Sequence, residues 1–309
     1  MFYKIYILQF EYYNKLQNMF EGLSTAIISP FKDKELDLNS YKKLLDYQVS
    51  NGVKNIVVCG TTGESATLSN EEQSLLISNT VEFCRNKNVK VIAGASSSCT
   101  KSCIELAQRN KDLGVDGVLI SVPPYNKPMQ EGIYQHYKTI VETVKIPIIL
   151  YNVPGRTSRD MADETIARLS QLDNIVALKD ATGNLSRVAS LRIAVKKGFT
   201  LISGEDTTAV GFNAMGGKGV ISVSSNVVPK LCAELQNYTL EGKYDKAVEI
   251  QDKLTKLHKI MFCEANPIPV KYACSLLGFG DGTLRLPLTE PDEENKEKIK
   301  NVLKELNLI

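Results

Sequence analysis

The chain has 309 residues, 43% of them hydrophobic and 23% charged, an ordinary globular balance that can bury a sizeable core. Its formal net charge of +2 gives no electrostatic case for a nucleic-acid or acidic-membrane partner. No run of about 18 apolar residues occurs, so no membrane span is expected. Two distant histidines, His136 and His258, argue against a His-based zinc site or a Ser-His-Asp triad.

The chain opens with "MFYKIYILQFEYYNKLQN", an apolar run interrupted by Lys4 and Gln9 with no small-residue cleavage site behind it. A second natural start follows at Met19, in "MFEG", so residues 1–18 are expected to be an extension outside the main fold. The seven cysteines are odd in number and form no CxxC pair. They read as reduced thiols in a cytoplasmic protein.

From there short apolar runs recur between Gly, Pro or polar residues. In order they are "LSTAIISPF", "NIVVCG", "KVIAGA", "GVLISVPP", "PIILYNVP", "NIVALKD", "FTLISGED" and "GVISVSSN". Most lack polar alternation, as strands covered on both faces do. Helical patterns lie between them. "DLNSYKKLLDYQVSNG" ends on Asn51-Gly52, a C-cap signal. "SNEEQSLLISNTVEFCRNKN" opens on Ser69 with Glu72 three residues on, the spacing of a capping box. "TKSCIELAQRNKDLG" and "MADETIARLSQLD" repeat the theme. Eight such units predict a (β/α)8 barrel; a doubly wound open sheet usually has fewer strands and often a Gly-rich first turn, absent here. After "GVISVSSN" only helical patterns remain, so the barrel is expected over 19–242 and a C-terminal helical domain, packed against it, over 243–309.

In such a barrel, active-site residues gather at the C-terminal ends of the strands. Those ends carry Gly60-Thr61-Thr62-Gly63-Glu64-Ser65, then Pro123-Pro124-Tyr125-Asn126, Tyr151-Asn152 with Pro154 and Arg156, Lys179-Asp180, Gly204-Glu205-Asp206 and Val220-Ile221-Ser222. Lys179 is the odd residue, an amine closing the apolar strand "NIVALKD". In a partly dry barrel mouth, desolvation penalises the ammonium and favours the free amine. A free amine attacks a carbonyl to form a Schiff base, and the iminium then acts as an electron sink. Such chemistry needs a proton shuttle, for which Tyr151 is the right type, with Thr61 as a hydroxyl relay. It needs no metal and no organic cofactor. A lysine after a strand is usually a surface residue with a wet head; its combination with the other strand ends is what points to a site. Glu205 and Asp206 read as loop carboxylates.

The blocks "GTTGESATL", "PPYNKPMQEGIYQHY", "ILYNVPGRT", "ALKDATGN", "SGED", "GGKGVISV" and "NPIPVKYA" resemble the dihydrodipicolinate synthase family, within the class I pyruvate-aldolase superfamily, over about residues 19–309. The resemblance implies roles residue by residue. Lys179 matches the lysine that captures pyruvate, Tyr151 the proton-shuttling tyrosine, and Thr61 and Tyr125 the rest of a Tyr–Thr–Tyr relay. The tyrosine matched by Tyr125 comes from a neighbouring subunit, implying at least a dimer and commonly a tetramer built from tight dimers. Thr62 matches a contact to the pyruvate carboxylate, Arg156 the arginine that holds the second substrate's carboxylate, and Gly204 and Ile221 residues that line the pocket through backbone carbonyls. The second threonine of "GTTGE" and the arginine of "YNVPGRT" favour the synthase branch over sialic-acid lyases. The implied reaction joins pyruvate to aspartate semialdehyde on the route to diaminopimelate and lysine. Pro124 stands where the family often has a tyrosine of an allosteric lysine pocket, and Asn70, Gln73, Ser98 and Ser102 fill its other places. No carboxylate there pairs an effector's ammonium, so insensitivity or weak sensitivity to lysine is expected. The rival readings are another 2-keto-acid aldolase of the superfamily and a non-catalytic keto-acid-binding barrel.

Overall fold

Strand runs without polar alternation need apolar cover on both faces, and this chain supplies it. The computed structural model describes residues 19–309; the expectation for residues 1–18 lies outside them. Eight parallel strands form: β1 Gly22–Ala26, β2 Asn55–Val58, β3 Lys90–Gly94, β4 Gly117–Ser121, β5 Ile148–Asn152, β6 Ile175–Asp180, β7 Thr200–Ser203 and β8 Gly219–Ser222. Each pairs with the next and β8 pairs back onto β1, so the sheet closes as the expected (β/α)8 barrel. Leu23, Ile56, Val118, Leu150 and Leu178 face outward into the layer shared with the helices. Ala26, Val57, Ile92, Leu119, Ile149, Ile202 and Ile221 face inward and fill the lumen.

Phe20 plugs the bottom of that lumen. A Cβ on Gly117, the first residue of β4, would stand 2.8 Å from the Phe20 ring, so only glycine leaves room for the plug. At β6 the register slips: Ile148 pairs with Ile175 but Ile149 with Ala177, which leaves Val176 as an extra residue. Val176 and Ala177 both join the inner layer. A slip of one residue turns every later side chain to the other face. Strict alternation from Val176 would aim Lys179 outward at the helices; the extra residue turns it into the lumen.

Asp37 caps helix α1 (Leu38–Ser50) by accepting from the Asn39 and Ser40 amides. The capping box forms at α2 (Asn70–Cys84): the Ser69 amide donates to Glu72 at 2.8 Å and the Glu72 amide to Ser69 Oγ at 3.2 Å. Helix α3 (Thr100–Asp112) follows β3. Helix α4 (Gln130–Thr143) follows β4 without a side-chain cap, and it escaped the sequence reading, as did Ser186–Ala194 and Ala209–Ala214. Two-residue strands Phe31–Lys32 and Glu35–Leu36 pair as an antiparallel ribbon that left no sequence signal.

Helix Pro229–Leu240 follows β8, and Tyr244–Ile260, Ile268–Leu276 and Glu293–Glu305 complete the chain. Leu254, Leu257, Val270, Cys274, Ile299 and Leu303 from these last three helices are buried in the same core as the outer barrel layer. The C-terminal helices are thus packed onto the barrel. All seven cysteines are free. No helix among the described residues is long and apolar enough to cross a membrane.

Candidate active site

Lys179 on β6 stands in register with Tyr151 on β5 and Ile202 on β7. Its side chain is 7% exposed, and its Nζ lies 4.4 Å from the centre of the Tyr151 ring, within reach of a cation–π contact. Among the described residues no carboxylate forms an ion pair with Lys179. Asp180, one residue on, faces the opposite way toward Arg187 at 3.6 Å. The amine therefore rests on an aromatic face at the edge of an open space.

That space is a cavity of about 440 Å³ at the C-terminal mouth of the barrel. Lys179, Tyr151, Thr61, Thr62, Arg156 and Gly204 all line it. It adjoins a second cavity of about 470 Å³, with which it shares Thr61, Tyr151 and Arg156, and which extends toward Ser65, Gln73 and Pro124. Thr62 is buried while Arg156 reaches toward solvent. Gly204 is required by space: a Cβ there would lie 2.6 Å from Ala181 Cβ and 3.0 Å from the Asp180 carbonyl. Its amide donates to that carbonyl, which joins the rims of β6 and β7.

Two sequence-expected residues are not brought to the cavity within one chain. Tyr125 is 91% exposed and lines neither space. Ile221 is buried in the inner layer and lines neither as well.

The structure also adds residues that the sequence reading gave no role. Glu205 lines the inner cavity, whereas Asp206 accepts from the amides of Val223 and Ser224 and fixes the turn after β8. Burial raises the Glu205 carboxyl above its usual range; Asp206 and Asp180 push the same way, and Lys179 pulls it back. Asn266, just before helix Ile268–Leu276, lines both cavities. Its side-chain amide donates to Thr62 Oγ1 at 3.0 Å, and its carbonyl accepts from Arg156 Nη2 at 2.8 Å. Its only sequence signal was its place in "NPIPVKYA". Among the described residues, no group of three or more His, Cys, Asp or Glu side chains is arranged to hold a metal ion.

A buried amine, a tyrosine on the neighbouring strand, hydroxyls and a guanidinium around one cavity can do carbonyl chemistry on small carboxylates. Residues 19–306 match the model of the Dihydrodipicolinate synthetase family. The 4-hydroxy-tetrahydrodipicolinate synthase of Methanocaldococcus jannaschii is 48% identical over 292 residues, covering 94% of this chain and 100% of the relative. That of Rickettsia bellii (strain RML369-C) is 46% identical over 293 residues, covering 95% and 99%. The crystal structure of dihydrodipicolinate synthase from Thermotoga maritima superposes with a TM-score of 0.92 at 44% identity, covering 94% of this chain and 100% of that one. Matches of this extent leave no part of the barrel or of the C-terminal helices outside the likeness: the chain is a lyase and belongs to the dihydrodipicolinate synthetase family.

Proposed function

We propose that this chain condenses pyruvate with aspartate semialdehyde, the reaction for which its relatives are named, through a Schiff base on Lys179. The carrying observation is the buried Lys179 amine set against Tyr151 in register at the mouth of the barrel. The amine adds to the ketone carbon of pyruvate and water leaves. The iminium takes up the electron pair of a methyl C–H bond, giving an enamine. That carbon adds to the aldehyde of the second substrate. The second substrate's own amine then attacks the iminium carbon, closes the ring and frees Lys179. Tyr151, with Thr61, moves the protons, and Thr62 holds the pyruvate carboxylate. Arg156 takes the second substrate's carboxylate, a task suited to a guanidinium fork. Gly204 lines the cavity, whereas Ile221 packs in the inner layer without lining it. No step calls for a metal or an organic cofactor.

In this reading residues 19–242 are the catalytic barrel and 243–309 a helical domain packed on it, in a cytoplasmic enzyme. Tyr125 completes the relay of a second copy, so the working unit is at least a dimer, and we take it to be a tetramer of tight dimers. The exposure of Tyr125, and of Met129 four residues on, supports that assignment.

Lysine feedback is absent or weak in this reading. Asn70 and Gln73 are occupied by a cation already, since Arg109 donates to Asn70 Oδ1 at 3.0 Å and to Gln73 Oε1 at 2.8 Å. Glu64, the carboxylate lining the outer cavity, is committed to Lys271 and the Arg285 amide. A lysine ammonium would meet a guanidinium and no free carboxylate.

The test is the initial rate with both substrates across a lysine titration, together with borohydride trapping of pyruvate. A fast rate flat in lysine, with an adduct on Lys179 that Lys179→Ala abolishes, is expected. Trapping without condensation would reassign the chain to another keto-acid aldolase reaction. A micromolar inhibition constant for lysine would overturn the feedback reading.

A further inference from the structure

The two anion contacts assigned above, Thr62 and Arg156, come from different strands, yet both touch one residue. Asn266 is 8% exposed and stands between them, donating from its side chain to one and accepting through its backbone from the other. A threonine hydroxyl has one proton and two lone pairs. When Thr62 Oγ1 accepts from Asn266, one lone pair is used and the proton stays available for another acceptor. Arg156 has five N–H donors, and anchoring one on the Asn266 carbonyl leaves the rest of the fork for a ligand.

We infer that Asn266 is a positioning residue that fixes the Thr62 hydroxyl as a donor to the pyruvate carboxylate and holds the Arg156 guanidinium at the same rim. The inference rests on the proposed roles of Thr62 and Arg156. It also gives the C-terminal helices a part in substrate binding, because the segment joining two of them brings Asn266 to the barrel mouth.

The chemistry predicts an unusual order of effects. Asn266→Asp keeps the shape of the side chain but replaces the donor with an acceptor, so the Thr62 proton turns toward the new carboxylate and away from the substrate. Asn266→Ala leaves the hydroxyl free to rotate and still able to donate. The readout is the pyruvate concentration that half-saturates borohydride trapping on Lys179, which needs no second substrate. Asn266→Asp is expected to raise it about tenfold or more, the scale of a hydrogen bond to a charged group, and Asn266→Ala to raise it less. In a Thr62→Val background Asn266→Ala is expected to have no further effect. A residue that merely fills space would give the reverse order, with the isosteric variant milder, and equal effects in both backgrounds; either result overturns the inference. Thr62→Val alone separates the layers: if it leaves trapping unchanged, the assignment of Thr62 itself fails and the inference falls with it.

Discussion

The loops after β2 and β4 leave the barrel at the same rim, and both carry a non-glycine residue in the left-handed region: Glu64 at φ 51° and Tyr125 at φ 69°. Such backbone costs on the order of 1–3 kcal/mol and persists where its surroundings enforce it. The β2 loop is enforced within the chain. Glu64 is buried and accepts from Lys271 Nζ at 2.5 Å and from the Arg285 amide at 3.2 Å. Lys271 lies 3.7 Å over the Phe31 ring, and Arg285 binds Glu72 through two nitrogens and the Thr67 carbonyl through one. The β4 loop is held by exposed side-chain-to-carbonyl bonds: the Asn126 side-chain amide donates to the Ser98 carbonyl and Arg159 Nη2 to the Lys127 carbonyl. Its aromatic ring stands in solvent. One loop is clamped to present Thr61 and Thr62 to its own cavity, while the other displays Tyr125 outward. That contrast fits the role proposed for Tyr125 in a second copy.

The largest expected effect comes from breaking the clamp. Burial lowers the pKa of the Lys271 ammonium, and Glu64 opposes that shift. Removing one partner of a buried ion pair typically costs about 3–5 kcal/mol, because the other charge stays buried and alone. Lys271→Met is expected to lower the unfolding free energy on that scale in denaturant titration. Lys271→Met combined with Glu64→Leu is expected to cost less than the sum of the two single changes. A loss below about 1 kcal/mol for Lys271→Met would mean that the pair does not hold the loop.

The barrel was legible in the sequence because parallel strands covered on both faces write continuous apolar runs, and eight of them fit few other architectures. That Thr61, Thr62, Tyr151, Arg156, Lys179 and Gly204 gather at one mouth was legible from their places at strand ends, while roles for Thr62, Arg156 and Gly204 came only with the family resemblance. The slip at Val176 was not: "NIVALKD" carries no glycine or other mark of an extra residue, and register is settled by pairing with β5. The clamp was hidden for another reason. Glu64 and Lys271 are 207 residues apart, and nothing local in "GTTGES" or "NPIPVK" announces that the two charges meet. Asn266 was hidden in the same way.

Below the open loop, α4 contributes a smaller effect that sharpens the contrast between the two rims. His136 is buried, with Nδ1 2.9 Å from Thr100 Oγ1 and no partner at Nε2 among the described residues. Burial pushes its pKa down from 6.5 to about 4. Between those values the unfolded chain binds a proton that the folded chain refuses. Stability from this group is therefore fully present above pH 6.5 and is lost as the pH falls toward 4, by up to about 3 kcal/mol at 1.36 kcal/mol per pH unit. His136→Gln is expected to flatten that part of the stability–pH curve relative to the parent chain. Superimposable slopes for the two proteins would show that His136 ionises freely and that α4 tolerates the charge.

The smallest expected effect bears most directly on what the exposed ring is for. Tyr125→Phe removes only the hydroxyl, and an acid–base group at the modest end of its range is worth about a hundredfold or less in turnover. If Tyr125 serves its own chain, the loss is fixed whatever else is in solution. If it serves a second copy, an impaired variant and an inactive one repair each other. A Tyr125→Phe chain keeps Lys179 but needs a hydroxyl; a Lys179→Ala chain lacks the amine but supplies the hydroxyl. In a mixed dimer one mouth then holds Lys179 and a tyrosine from the partner, and the other holds neither. Mixing the two variants under conditions that allow subunit exchange is expected to raise the rate above that of either alone, toward half the parent value per mixed dimer. Since Lys179→Ala has no amine of its own, any rate gained beyond the Tyr125→Phe background must come from a site shared between two chains. A strictly additive rate would return Tyr125 to its own chain and leave its exposure without a catalytic reason.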